Sequence, residues 1–354
     1  MKRFFEPTRR CLCTVATCLL TWAGCTSRSA PPDPIGARPA PAAAFPAGTP
    51  GATPPHPTFS TPSPAWPTDT VLVAGEPLSV GTRVVLFDEM GGYNAYRGPS
   101  YFNQRRDETR PASGSGAGPA SPPDRAALNQ LIDRVVLHYD VAGLSSRCFR
   151  ILQHERGLSC HFLLDVDGTI YQTLDLRERA WHAGTSNSRS VGIEIANVGA
   201  YPKGSHEPLS RWYRPQPGGG TRLILPPDSG VRHPERARQP ARPSPVTGPV
   251  HGRQLVQYDL TDAQYLALTR LLAALCRAFP RMTPDAPRIG GDPAAAVLPG
   301  LMTAGDRVGF GGIVGHHHLT RDKVDPGPAF DWPRVLRGVR AELGEPRIAP
   351  HREP

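Results

Sequence analysis

The chain has 354 residues, of which 42 are proline and 36 glycine, well above the roughly 12 % that these two residues average together, so less of it folds than its length suggests. Hydrophobic residues make up 39 %, enough for one core of moderate size, which excludes a wholly disordered chain, a coiled coil and a polytopic membrane protein. The formal net charge of +9 would favour a polyanion or an anionic surface, but Lys2, Arg3, Arg9 and Arg10 against Glu6 concentrate part of it in the first ten residues.

Residues 1–25 read as a secretory leader. They hold a basic start, an apolar stretch from Cys11 to Trp22 too short to span a bilayer, and a small-residue end. Leu19 and Leu20 before Ala23-Gly24-Cys25 resemble a bacterial lipobox. That implies an exported chain acylated at Cys25 and held in the outer membrane facing the periplasm. Trp22 departs from the aliphatic residue usual three positions before such a cysteine, so simple cleavage is the alternative. Residues 29–67 contain 13 prolines in 39 positions, and residues 26–69 are expected as a disordered Pro/Ala-rich tether reaching at most ~120 Å at ~3.1 Å per residue. With Cys11, Cys13 and Cys18 in the leader, Cys148, Cys160 and Cys276 remain. Cys148 and Cys160 are near enough in sequence to bridge a helix to the next strand in an oxidising compartment, or they pack as two small buried hydrophobes.

Residues 70–97 form a small β unit with strands at Val71–Val73 and Thr82–Phe87, and residues 98–123 read as a linker or surface loop. The main domain spans 124–340, with a tail at 341–354. Within it, a helix over Ala126–Asp133 leads into a buried strand, Arg134–Tyr139, and a helical period runs from Ser145 to Arg156. A hairpin follows, Cys160–Asp165 and Ile170–Leu174 around Asp167-Gly168. Ser190–Asn197 is a strand with Glu194 on the opposite side from Ile193 and Ile195. Residues 198–256 are a long, basic insertion, read as a solvated loop, with the holding of an anionic glycan polymer as the other reading. Thr261 and Gln264 then form a capping box for a helix whose apolar face runs from Tyr265 to Phe279, and Gly311–Trp332 closes the domain. The expected fold class is α/β, a central mixed β-sheet flanked by helices.

His138 ends a hydrophobic strand, His316 follows Gly311–Gly315, and Asp325 lies in Lys323–Pro328. Two imidazoles and a carboxylate suit a catalytic Zn²⁺ with its fourth position open. Spacing alone does not select these three from a chain with twelve histidines.

Several blocks do select them: Val136–Tyr139, His161–Gln172, Ala180–Gly184, Val191–Ile195, and Gly315-His316 with Lys323–Phe330, in that order. Together they resemble the type 2 N-acetylmuramoyl-L-alanine amidase family, related to peptidoglycan recognition proteins and phage amidase lysozymes, over roughly 128–197 and 257–333. The resemblance implies zinc held by His138, His316 and Asp325, Glu194 as acid/base and Lys323 beside the scissile carbonyl. It makes Trp181 and His182 substrate-side candidates, with a brace for the metal ligands as the other reading of the pair. It implies a peptidoglycan or muropeptide substrate, with a non-catalytic peptidoglycan-binding lipoprotein of the same fold as the rival. His316, His317 and His318 run together, so His318 competes with His316 as ligand, although the Gly315 anchor favours His316. No nucleic-acid partner is expected, and the chain is expected to act as a monomer.

Overall fold

The computed structural model describes residues 67–105, 122–205 and 207–344. The leader, Cys25, nearly all of the tether and most of the tail lie outside the described residues. Among the described residues no helix is long and apolar enough to cross a membrane.

The elements begin with β1 (Thr70–Val73), β2 (Glu76–Ser79), β3 (Val84–Val85) and β4 (Phe102–Gln104). Next come α1 (Arg125–Leu131), β5 (Arg134–Tyr139), α2 (Ser145–Arg150), β6 (Phe162–Leu164), β7 (Ile170–Gln172), β8 (Glu178–Ala180) and β9 (Ser190–Ile195). The stretch after it carries β10 (Tyr201–Pro202), α3 (Glu207–Trp212), β11 (Tyr213–Pro215), β12 (Thr221–Leu223), β13 (Val246–Val250) and β14 (Arg253–Gln257). The chain closes with α4 (Asp262–Ala278), α5 (Ala304–Gly309), β15 (Gly312–Gly315), α6 (His316–Leu319) and α7 (Trp332–Glu342).

The central sheet has six strands in the order β15-β5-β9-β6-β7-β3. From β15 to β6 the strands are parallel, β7 returns antiparallel to β6, and β3 lies parallel to β7. The sheet is therefore mixed, and helices cover it. Because side chains alternate across a strand, Val135, Leu137, Val191, Ile193, Phe162, Leu164 and Ile313 share one face. There they pack with Leu268, Leu271 and Leu275 of α4 and Val335, Leu336 and Val339 of α7. The other face holds Val136 and Val314 with Met302, and Leu163 and Tyr171 with Cys148 of α2. A slip of one residue in any of these strands would exchange the two sets.

α4 starts as its capping box requires, with Thr261 Oγ1 accepting from Gln264 N–H and Gln264 Oε1 accepting from Thr261 N–H. The β6–β7 turn needs glycine at 168, where φ is +84° and a Cβ would sit 2.6 Å from the Ala263 carbonyl oxygen.

Residues 70–97 share the main core rather than sitting beside it. Val71, Val73, Leu86 and Phe87 join the α4 face. The Gln172 side chain binds β1 as a strand would, accepting from Leu72 N–H at 2.7 Å and donating to Leu72 O at 2.8 Å.

The 198–256 stretch, expected as a long loop, is folded around an apolar cluster that it shares with the main domain. Val198, Leu209, Tyr213 and Leu223 of the stretch form it with Leu144, Val166 and Tyr258, and the rings of Tyr213 and Tyr258 stack at 4.0 Å. Its apolar residues are spaced too irregularly among Pro, Gly and Arg to show a period, so only the tertiary stacking makes them a core. Cys148 and Cys160 are unbridged thiols in this structure, which matches the second of the two readings rather than the bridge. They pack beside Val85, Leu163 and Tyr171 as small hydrophobes.

Gly168→Ala is expected to lower stability by about 1–3 kcal/mol, read as a lower denaturation midpoint at unchanged m-value.

Candidate active site

The site is built at the carboxyl ends of the parallel strands, where open α/β sheets present ligand-binding groups. β5 and β9 are in register with His138 opposite Glu194, so both side chains leave the same face of the sheet. On the other side of β5, the pairing with β15 stops at Gly315 opposite Leu137. The next residue, His316, opens α6 at the level of His138. A Cβ at Gly315 would lie 2.6 Å from Pro326 Cδ and 2.7 Å from the His317 ring; glycine lets the loop bearing Asp325 close over the strand end.

That closure brings three of the expected residues together. Asp325 Oδ2 lies 2.9 Å from His138 Nδ1 and 3.2 Å from His316 Nδ1. One ligand-type atom from each of the three lies within 4.8 Å of the others, and all three residues are buried. Burial alone would push the Asp325 carboxyl up, but the imidazoles of His316 and His138 hold it well below the usual carboxylate range. A buried pair of imidazole nitrogens facing one carboxylate oxygen is the donor set of a three-ligand zinc site, and the residues present fit that ion.

His318 is committed elsewhere. Its Nδ1 accepts from Gly315 N–H at 2.9 Å, and its Nε2 lies 2.8 Å from Leu298 O. His317 Nδ1 meets the Asp325 carbonyl at 3.0 Å, so two of the three consecutive histidines serve the backbone. A short helix from 316 replaces the extended run on which 316 and 318 would have faced one way.

His182 stands behind His138, its Nδ1 3.1 Å from His138 Nε2 and its Nε2 3.2 Å from Ser190 Oγ. Burial, with His138 alongside, pushes the His182 imidazole well below its usual range. Gly192 makes this possible, because a Cβ there would stand 2.7 Å from His182 Nδ1 and 2.8 Å from Cys160 Sγ. His182 thus braces a ligand-type residue. Trp181 is half-exposed, donating from Nε1 to Asn103 Oδ1 at 3.2 Å, with its ring 6.3 Å from Tyr101.

Burial pushes the Glu194 carboxyl up to about 7, against the pull of His138 and Lys323. A group poised there can both accept and return a proton near neutrality. Lys323 is half-buried, and its carbonyl accepts from His251 Nε2 at 2.9 Å. His251 lies at the β13–β14 turn, so the insertion helps to place Lys323.

Two supporting residues were not legible in the sequence. Arg105 is fully buried, donating to Leu176 O at 2.8 Å, Asn187 O at 3.1 Å, Ser188 O at 3.0 Å and Ser190 O at 2.6 Å. It staples the segment that carries Trp181 and His182, yet nothing local separates it from the adjacent Arg106. Gln257 holds the loop beyond Asp325, donating to Pro326 O at 3.0 Å and accepting from Ala329 N–H at 3.0 Å. Its only sequence signal is its place at the end of a strand-like run.

A family model described as N-acetylmuramoyl-L-alanine amidase matches residues 128–328. The chain is 25 % identical over 191 residues to the 1,6-anhydro-N-acetylmuramyl-L-alanine amidase AmpD of Haemophilus influenzae, covering 53 % of this chain and 61 % of that protein. It is 24 % identical over 195 residues to AmpD of Salmonella typhimurium, covering 52 % and 59 %. It thus spans about three fifths of the length of these curated relatives. Among solved structures, it resembles the N-acetylmuramyl-L-alanine amidase AmiD from E. coli, in complex with the substrate anhydro-N-acetylmuramic acid-L-Ala-D-gamma-Glu-L-Lys. That match has 17 % identity and a TM-score of 0.32, covering 69 % of this chain and 66 % of that one.

Arg105→Met would leave four carbonyls without their donor and is expected to cost about 2–4 kcal/mol. Hydrogen exchange should show the loss first in amides 182–190.

Proposed function

The chain belongs to the N-acetylmuramoyl-L-alanine amidase family, and we propose that it uses zinc to hydrolyse the amide between N-acetylmuramic acid and L-alanine in peptidoglycan or its muropeptides. The observation that carries this reading is the buried His138–His316–Asp325 group with Glu194 on the adjoining strand in register with His138.

His138, His316 and Asp325 would hold the zinc, which when bound supplies Lewis acidity toward the scissile carbonyl and toward a water. Asp325 suits a ligand because it stays ionised. With His138 as a ligand through Nδ1, its Nε2 would carry the proton and donate to His182 Nδ1, and His182 Nε2–H would donate to Ser190 Oγ. Such a relay would fix both tautomers and the angle of the His138 ring.

Glu194 takes a proton from the attacking water as its oxygen bonds to the carbonyl carbon. The carbon–nitrogen bond then breaks, and Glu194 returns the proton to the departing alanine amine. Charge gathers on the carbonyl oxygen during this exchange. Lys323 offsets it from the loop that also presents Asp325.

The test is digestion of purified peptidoglycan with and without a chelator, beside Glu194→Gln, with products read by mass. Stem peptides beginning with L-alanine are expected, absent with chelator and restored by zinc, with Glu194→Gln slower by about 10²–10⁴-fold. Wall that is bound but uncut under every metal condition would replace the enzyme with a receptor. His182→Ala should weaken zinc binding by about 10–100-fold, measured by competition with a chromogenic chelator; unchanged affinity would remove His182 from the support of the site.

A further inference from the structure

The inserted stretch between β9 and α4 holds a second concave site. β11 and β12 pair antiparallel, Tyr213 opposite Leu223 and Arg214 opposite Arg222. Tyr213 and Leu223 turn into the apolar cluster, which leaves Arg214 and Arg222 side by side on the exposed face. Like charges directly opposed across a strand pair are destabilising. No carboxylate pairs with either of them among the described residues: Glu207 pairs with Arg211, and Glu235 lies 3.9 Å from Arg236 Nε and 3.5 Å from His233 Nδ1.

A third cation joins them, because Leu223 N–H donates to Arg238 O at 2.8 Å and so draws that segment alongside β12. Arg214, Arg222 and Arg238 line a cavity of about 920 Å³ with Gln216 and Leu225, and one acid, Glu235, borders it, leaving three cations against one carboxylate. None of the three arginines has a carboxylate partner among the described residues. Fold stability gives no reason to gather them, and local violations of this kind mark functional sites. Guanidinium forks match carboxylates in pairs of parallel hydrogen bonds, and three of them on two strands and a loop suit several linked carboxylates better than a single ion.

We propose that this cavity is a non-catalytic docking site for peptidoglycan, binding the carboxylates of its peptide stems and holding the enzyme on the polymer between cuts. The identity of the polymer rests on the amidase reading; the demand for a linked polyanion does not.

The test compares the full chain with Arg214→Gln/Arg222→Gln/Arg238→Gln by sedimentation with purified peptidoglycan sacculi, native or with their carboxyls amidated. Both proteins are also assayed on a soluble monomeric muropeptide. The triple variant should bind native sacculi about tenfold more weakly or worse, amidated sacculi should bind the parent chain equally poorly, and cleavage of the monomer should not change. Removing opposed like charges should leave Tm unchanged or raise it, and the matching Arg→Lys triple variant should retain part of the binding. Unchanged sedimentation of the Gln variant overturns the proposal. So does undiminished binding to amidated sacculi, which would point to another anion, or a fall in Tm that accounts for the lost binding. Because sedimentation needs no turnover, an uncut monomer beside an intact binding difference would remove the enzyme and leave the docking site.

Discussion

The register of three parallel strands governs this molecule. β15, β5 and β9 run side by side so that His316, His138 and Glu194 emerge at one level from one end of the sheet. Hydrophobic alternation enforces the register, since Val135, Leu137, Val191, Ile193 and Ile313 must all face α4 and α7. Burying that face commits the opposite set of side chains to the site. The chemistry and the core are two sides of one pairing pattern.

Segments far from those strands then hold the site in shape. The Arg105 guanidinium ties down the backbone around residues 176–190, Gln257 clamps the turn after Asp325, and His251 carries the Lys323 carbonyl. Residues that form the site are set to within a few tenths of an ångström only when such outer partners are fixed as well. Arg105 lies before the stretch, residues 128–328, matched by the family model.

Much of this was readable beforehand. The strand bearing His138, the Asp167-Gly168 hairpin, the strand bearing Glu194 and the capped helix after Thr261 are each written in local pattern and turn chemistry. The insertion was not, because its aromatic and aliphatic residues are spaced irregularly and meet only through the stacking of Tyr213 on Tyr258. The three consecutive histidines were ambiguous for the same kind of reason. An extended run and a helical turn present residues 316 and 318 differently, and the backbone chose the turn.

Sequence alone determined the alternation that makes a two-faced mixed sheet, the donor types available for a metal and the acid on the central strand, since these depend on neighbours one to four residues apart. Tertiary structure decided which donors meet. Asp325 reaches His138 across 187 residues, His182 turns behind His138 because Gly192 leaves room, and Cys148 and Cys160 remain thiols in an apolar pocket. Contacts of that span carry no local period, and only the packing of the whole sheet brings their partners within reach.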